Sequence, residues 1–112
     1  MAINKLIGDT LSPTGLNVTY LKRLDDTKEA VVFNYIERPL QYGDLNEIST
    51  YYTVLINVYS KATNIEKHKE LVKKAMANNG FKKIMISNPI EQKNNIYNTA
   101  IQYKIALINN LN

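Results

Sequence analysis

The segment from Ser49 to Phe81, STYYTVLINVYSKATNIEKHKELVKKAMANNGF, constrains the fold more than any other part of the chain. From Tyr51 to Ser60 the residues alternate. Tyr52, Val54, Ile56 and Val58 fall on one side of an extended strand, and Thr53, Leu55, Asn57 and Tyr59 fall on the other. The first set is uniformly apolar and is expected to face a core. The second set is mixed and suits a face covered by something else. Thr63-Asn64-Ile65-Glu66 then has the spacing of a capping box, a hydroxyl for the free amides of a first helical turn and a carboxylate three residues on. A helix over about 64–79 follows, carrying Ile65, Leu71, Val72, Ala75 and Met76 at helical spacing, with Glu70 in reach of Lys73 and Lys74. Asn79-Gly80 is predicted to end it, because glycine accepts the left-handed conformation at a helix C-terminus.

The flanking segments extend this pattern. Residues Ala2 to Leu11 read as a short helix with Ile3, Leu6 and Ile7 on one side, broken by Pro13 and Gly15. Leu16 to Leu24 reads as a strand with Leu16, Val18 and Tyr20 on one face. Asp25-Asp26-Thr27 makes a polar turn, and Ala30 to Glu37 is the next strand, expected to pair with the previous one as a hairpin. Its run Val31-Val32-Phe33 is apolar on both faces, which predicts a central or doubly covered strand. Pro39 is predicted to stop that strand, leaving Arg38 to Ser49 as a long irregular loop of the kind that often carries function. Phe81 to Ser87 reads as a strand with Ile84 and Ile86 on one face. Asn88 to Asn95 reads as a turn or loose connection. Tyr97 to Asn109 is the last strand, with Ile101, Tyr103, Ile105 and Leu107 set against Gln102, Lys104 and Ala106. Together these predict one α+β domain over residues 1–112, an antiparallel or mixed sheet of about five strands packed by one main helix and a short N-terminal helix.

Composition narrows the chemistry. With 112 residues the chain has room for one core. It has no cysteine, which removes disulfides, thiolate metal sites and cysteine nucleophiles. No apolar run approaches about 18 residues, and the N-terminus lacks the apolar centre of a signal peptide, so no membrane association is expected. The net charge is +4. Between Lys61 and Lys83 seven lysines face Glu66 and Glu70, a net of +5, so the rest of the chain sums to −1. A basic helix can meet nucleic acid or an acidic partner; a solvated helix face is the plainer reading. His68, the one histidine, sits between Lys67 and Lys69 with no partner of metal-ligand type. Asp25 and Asp26 are adjacent and would point to opposite faces of a strand. Gly8-Asp9-Thr10 lacks the rest of a phosphate-binding loop. No constellation nominates a catalytic, cofactor or metal site, and the chain is not expected to be an enzyme.

The chain resembles the tail terminator (tail completion) proteins of long-tailed bacteriophages and prophages. The resemblance runs through the N-terminal helix, Gly15-Leu16-Asn17-Val18 leading into Tyr20-Leu21-Lys22-Arg23-Leu24, and the strand ending Tyr35-Ile36-Glu37-Arg38-Pro39. It continues through Tyr42-Gly43-Asp44, the strand Tyr51 to Lys61, the lysine-rich helix and Gly80-Phe81. It implies a structural virion protein, made in the bacterial cytoplasm, that caps the head-proximal end of the tail tube. Its partners would be further copies in a hexameric ring, the tail tube protein and a head-completion protein, with DNA passing through the lumen and no cofactor. Ring subunits need two different patches that fit each other. Tyr and Arg favour such contacts, so Arg38, Tyr42 and Tyr59, with Asp44 and Glu47 as charge partners for a neighbour's lysines, are the candidate interface residues. Another phage connector or minor tail component, and a small nucleic-acid-binding module, are the alternative readings.

Overall fold

The computed structural model describes residues 3–40 and 48–109. In chain order its elements are α1 (Ile3–Leu11), a 3₁₀ turn at Ser12–Thr14, β1 (Val18–Tyr20), β2 (Ala30–Leu40), β3 (Ile48–Lys61), α2 (Ile65–Asn78), β4 (Lys82–Ile86), β5 (Ile90–Glu91) and β6 (Ile96–Asn109). The strands form one mixed sheet in the order β1-β2-β3-β6-β4, with β5 also paired to β6. Both helices lie on one face of it. This is the expected α+β, two-layer arrangement.

The core forms where the alternation placed it. Val54, Ile56 and Val58 are fully buried and Tyr52 nearly so. They meet Val31 and Phe33 of β2, Ile101 and Tyr103 of β6, Ile65, Val72 and Met76 of α2, and Ile3, Ile7 and Leu11 of α1. The three α1 residues are four apart, so one helical stripe serves the whole contact. Burial pushes the Tyr103 phenol up to about 12, with the Glu70 carboxylate adding to the effect. At the end of α2, Phe81 N–H donates to Met76 O and Gly80 N–H to Ala77 O, with Gly80 at φ +85°. This is the left-handed helix end that Asn79-Gly80 predicts, and it turns Phe81 into the core.

Five local expectations are corrected. First, β1 and β2 are parallel, not a hairpin, with Val18 beside Val31 and Tyr20 beside Phe33. A parallel connection usually needs a dozen or more residues. Residues 21–29 suffice because β1 is only three residues long and Leu21 reverses the chain at φ +68°. Second, β2 does not stop at Pro39 but runs to Leu40, opposite Ser49. Val31 N–H donates to Asn17 O, and Phe33 O accepts from Leu21 N–H. The odd residues of β2 therefore turn their backbone groups away from β3, and Pro39 falls on that side, where no N–H is required. The loop expected over Arg38 to Ser49 shrinks accordingly. Third, the capping box does not form. Asn64 is the N-cap and makes no side-chain cap bond; its amide is drawn to Glu29 instead, and Glu66 pairs with Lys69. Fourth, β4 bulges between Lys83 and Met85, so Ile86 packs on the core while Ile84 is exposed. Fifth, the segment 88–95, read as a turn or loose connection, has its turn at Asn94 and Asn95, both at positive φ, but also contains the strand β5.

The molecule is elongated, with extents of 53 × 23 × 22 Å. A strand of 14 residues such as β3 or β6 spans about 48 Å at ~3.4 Å per residue, so these two strands set the long axis. The helices occupy one end, and β2, β3 and β6 continue past them as a three-stranded arm.

Ile56 and Ile36 lie on opposite faces of the same sheet, fully buried and 63% exposed respectively. Replacing Ile56 by Ala should cost about 2–5 kcal/mol in urea unfolding, and Ile36→Ala no more than about 0.5 kcal/mol. Equal costs would contradict the assigned faces.

Candidate interaction surface

Two of the five residues singled out from sequence lie on the helix-free face of the sheet. Arg38 is exposed on β2, opposite Tyr51. Tyr59 is half-buried on β3, opposite Ala30. Eight residues of β3 separate the two rows, about 27 Å at ~3.4 Å per residue, so they do not form one patch. Tyr42, Asp44 and Glu47 lie outside the described residues. Tyr59 is also already engaged: the Arg23 guanidinium stacks 4.3 Å above its ring. Arg23 in turn donates to Asp26 O at 2.8 Å. Segment 21–29 therefore folds over the Tyr59 end of this face. A hairpin reading of β1 and β2 would never bring Arg23 there.

Ala30 and Val32, opposite Tyr59 and Asn57, are also buried on this face. Farther along it opens: Tyr51, Thr53 and Leu55 are half-buried and Asn34, Ile36 and Arg38 exposed. Two strand edges on the arm are also free of described partners. β1 reaches only Phe33 of β2, which leaves Asn34–Leu40 open. β4 reaches only Lys104 of β6, which leaves 105–109 open on the other side. Such edges are templates for another strand.

On the helix face, a polar cluster joins three segments. Ser60 Oγ lies 2.6 Å from His68 Nδ1. Glu29 Oε2 accepts from Lys61 N–H at 2.9 Å and from the Asn64 amide at 3.0 Å. Ser60, His68 and Glu29 border a cleft of about 310 Å³ with Gly15, Leu16 and Asn17. Serine, histidine and glutamate side by side invite a nucleophilic reading, but the geometry is that of a fastener. Ser60 is 1% exposed, and both bonds of Glu29 go to amides and not to the imidazole that it would have to orient. Burial pushes the Glu29 carboxyl up, but the Lys61 and Asn64 donors outweigh it and hold it below its ordinary value of 4.5. Among the described residues no group of three His, Cys, Asp or Glu side chains could hold a metal ion, and no helix is long and apolar enough to cross a membrane.

No protein-family model matches the chain, and no curated protein matches it.

The lowered Glu29 carboxyl has a defined sign. A depressed folded-state value contributes stability above the unfolded value, and that contribution disappears as pH falls through the folded one. Glu29→Gln should therefore lower the melting temperature at pH 7, and the gap to the parent should narrow from about pH 4.5 downward. Thermal melts from pH 7 to pH 3 read this directly; parallel curves would show that the carboxylate is not the fastening group.

Proposed function

We propose that this chain is the repeating subunit of a ring that caps the head-proximal end of a phage tail tube, stops its growth and offers the surface for head joining. Resemblance along the chain suggests the role, and one structural observation supports it above others: the three-stranded arm with a free edge on each side. A closed ring needs each subunit to present two different surfaces that fit each other. The β2 edge at Asn34–Leu40 and the β6 edge at 105–109 are such a pair. They lie on opposite margins of the same arm, so pairing one with the other on the next copy generates a repeat and not a closed dimer. Arg38 lies on the first margin, but its backbone groups turn to β3 and its side chain to the sheet face, so the strand pairing itself does not use it. Nor does it use Tyr59, held under Arg23. In this reading the work is done by surfaces, without a cofactor or a chemical step.

Native mass spectrometry and negative-stain images of the chain, alone and mixed with sheared tail tubes, should show hexameric rings. Glu37→Pro tests the edge. Residue 37 turns its N–H away from β3 as Pro39 does, so proline there breaks no backbone hydrogen bond inside the subunit, though it gives up the side-chain bond to Tyr52, and it blocks strand addition. The variant should keep its circular dichroism spectrum and lose ring formation by at least tenfold, whereas Glu37→Gln should retain it. Monomers in every mixture for the parent chain would defeat the ring reading.

A further inference from the structure

Lys82 and Lys104 stand directly opposite each other on β4 and β6. Like charges in that position destabilise a sheet, and neither side chain forms an ion pair among the described residues. The next row of the arm carries Arg38, opposite Tyr51, also without an ion pair. From register, Arg38 and Lys104 are about 12 Å apart, two strands across at ~4.8 Å and two residues along. Thr53 lies beside Lys104, with the exposed Ile36 on its other side, and the neutral donors Asn34 and Gln102 stand in the row behind.

Among the described residues the carboxylates lie elsewhere. Only Glu37 and Glu91 are strand acids in the described residues. Glu37 pairs with the buried Tyr52, and Glu91 with Tyr97, which packs on the core. Both therefore project on the helix side. Asp25 and Asp26 belong to the segment folded over the Tyr59 end, away from the arm. The lysines of α2 share their helix with carboxylates: Lys69 and Lys73 are paired with Glu66 and Glu70, and Lys67 and Lys74 each adjoin one of these four residues in sequence or lie one helical turn from it.

We infer that the helix-free sheet face of the arm contacts the phosphate backbone of double-stranded DNA through Arg38, Lys82 and Lys104. Cations held together at a cost to the sheet, with neutral amide and hydroxyl donors nearby and no carboxylate on their face among the described residues, suit a regularly charged polyanion. A surface with no base-reading motif gives sequence-independent contact. Three phosphate contacts give an affinity that falls with salt at a logarithmic slope of about −2.7, roughly 40-fold between about 50 and 200 mM. The contact is therefore weak and reversible. It concerns the face and not the ring, so loss of assembly and loss of DNA binding are separately measurable.

Fluorescence anisotropy with a labelled duplex of arbitrary sequence tests the inference, with native mass spectrometry on the same samples recording assembly. The parent chain should bind with the salt slope given above. Lys82→Gln with Lys104→Gln should weaken binding at least tenfold at low salt and reduce the slope to about −1. It should also raise the melting temperature slightly, since it relieves a like-charge pair; a variant weakened by misfolding would melt lower. Lys67→Gln with Lys74→Gln on α2 should leave slope and affinity unchanged. Absence of binding by the parent at low salt, an equal loss from the α2 variant, or equal displacement by polyglutamate at matched charge would each overturn the assignment.

Discussion

The pairing of β3 with β6 holds the rest of the structure in place. It runs without a break from Ile48 opposite Asn109 to Lys61 opposite Ile96. Every other element is referred to it. β2 is read off one edge of β3, β4 and β5 off the far edge of β6, and the helices sit on the face this pair presents. The side-chain period of a strand is two, so a slip of one residue would send Val54, Ile56 and Val58 to the open face and Leu55 and Asn57 into the core. The uniform apolar set on one side therefore protects the register along its full length, including the arm where no helix contributes.

The same pairing explains why the two faces differ. On the helix side the polar groups are engaged: Ser60 with His68, Glu29 with the start of α2, Glu37 with Tyr52. On the other side the polar groups are amides, hydroxyls and cations, and toward the arm they have few protein partners. The ring contact proposed at the arm margins and the polyanion contact inferred for the arm face call on different atoms, backbone groups for the first and side chains for the second, so the two proposals are compatible in one chain.

Much of the fold is legible in the sequence because it is written in short periods. The alternation of Tyr52 to Val58 and of Ile101 to Leu107, the stripe of Ile65, Val72 and Met76, and Gly80 as a helix end all concern neighbours within a few residues. What the sequence hides depends on groups far apart. Thr63-Asn64-Ile65-Glu66 has the form of a cap, but Glu29, 35 residues before Asn64, takes the amide. The direction of β1 turns on the left-handed Leu21, a residue type with no preference for that conformation. Ile84 alternates correctly in sequence and is displaced by a bulge. Asn94-Asn95 did carry a local signal, since asparagine tolerates positive φ, and a turn with a strand before it could have been read there. Of the candidate site, Arg38 reads from sequence as a loop residue; its place on β2 is hidden because Pro39 reads as a strand stop. The opposition of Lys82 to Lys104 is not legible either, because it requires the register of two strands joined through a bulge.

The sheet order has a consequence for biosynthesis. β3 is the central strand, yet its two partners come from opposite ends of the chain: β2 directly before it, β6 as residues 96–109. As the chain leaves the ribosome, β2 and β3 can close as soon as Lys61 emerges. The far edge of β3, 14 residues of alternating apolar and polar side chains, then waits for another 48 residues, the difference between Lys61 and Asn109, before β6 is complete. At ~5–20 residues per second that is an interval of roughly 2 to 10 seconds with a long strand edge open. During this interval α2, which follows β3 directly, is the element available to cover the apolar face. A nascent chain thus protects its core face first and its hydrogen-bonding edge last. Polysomes crowded with such chains are where mispairing between copies is most favoured.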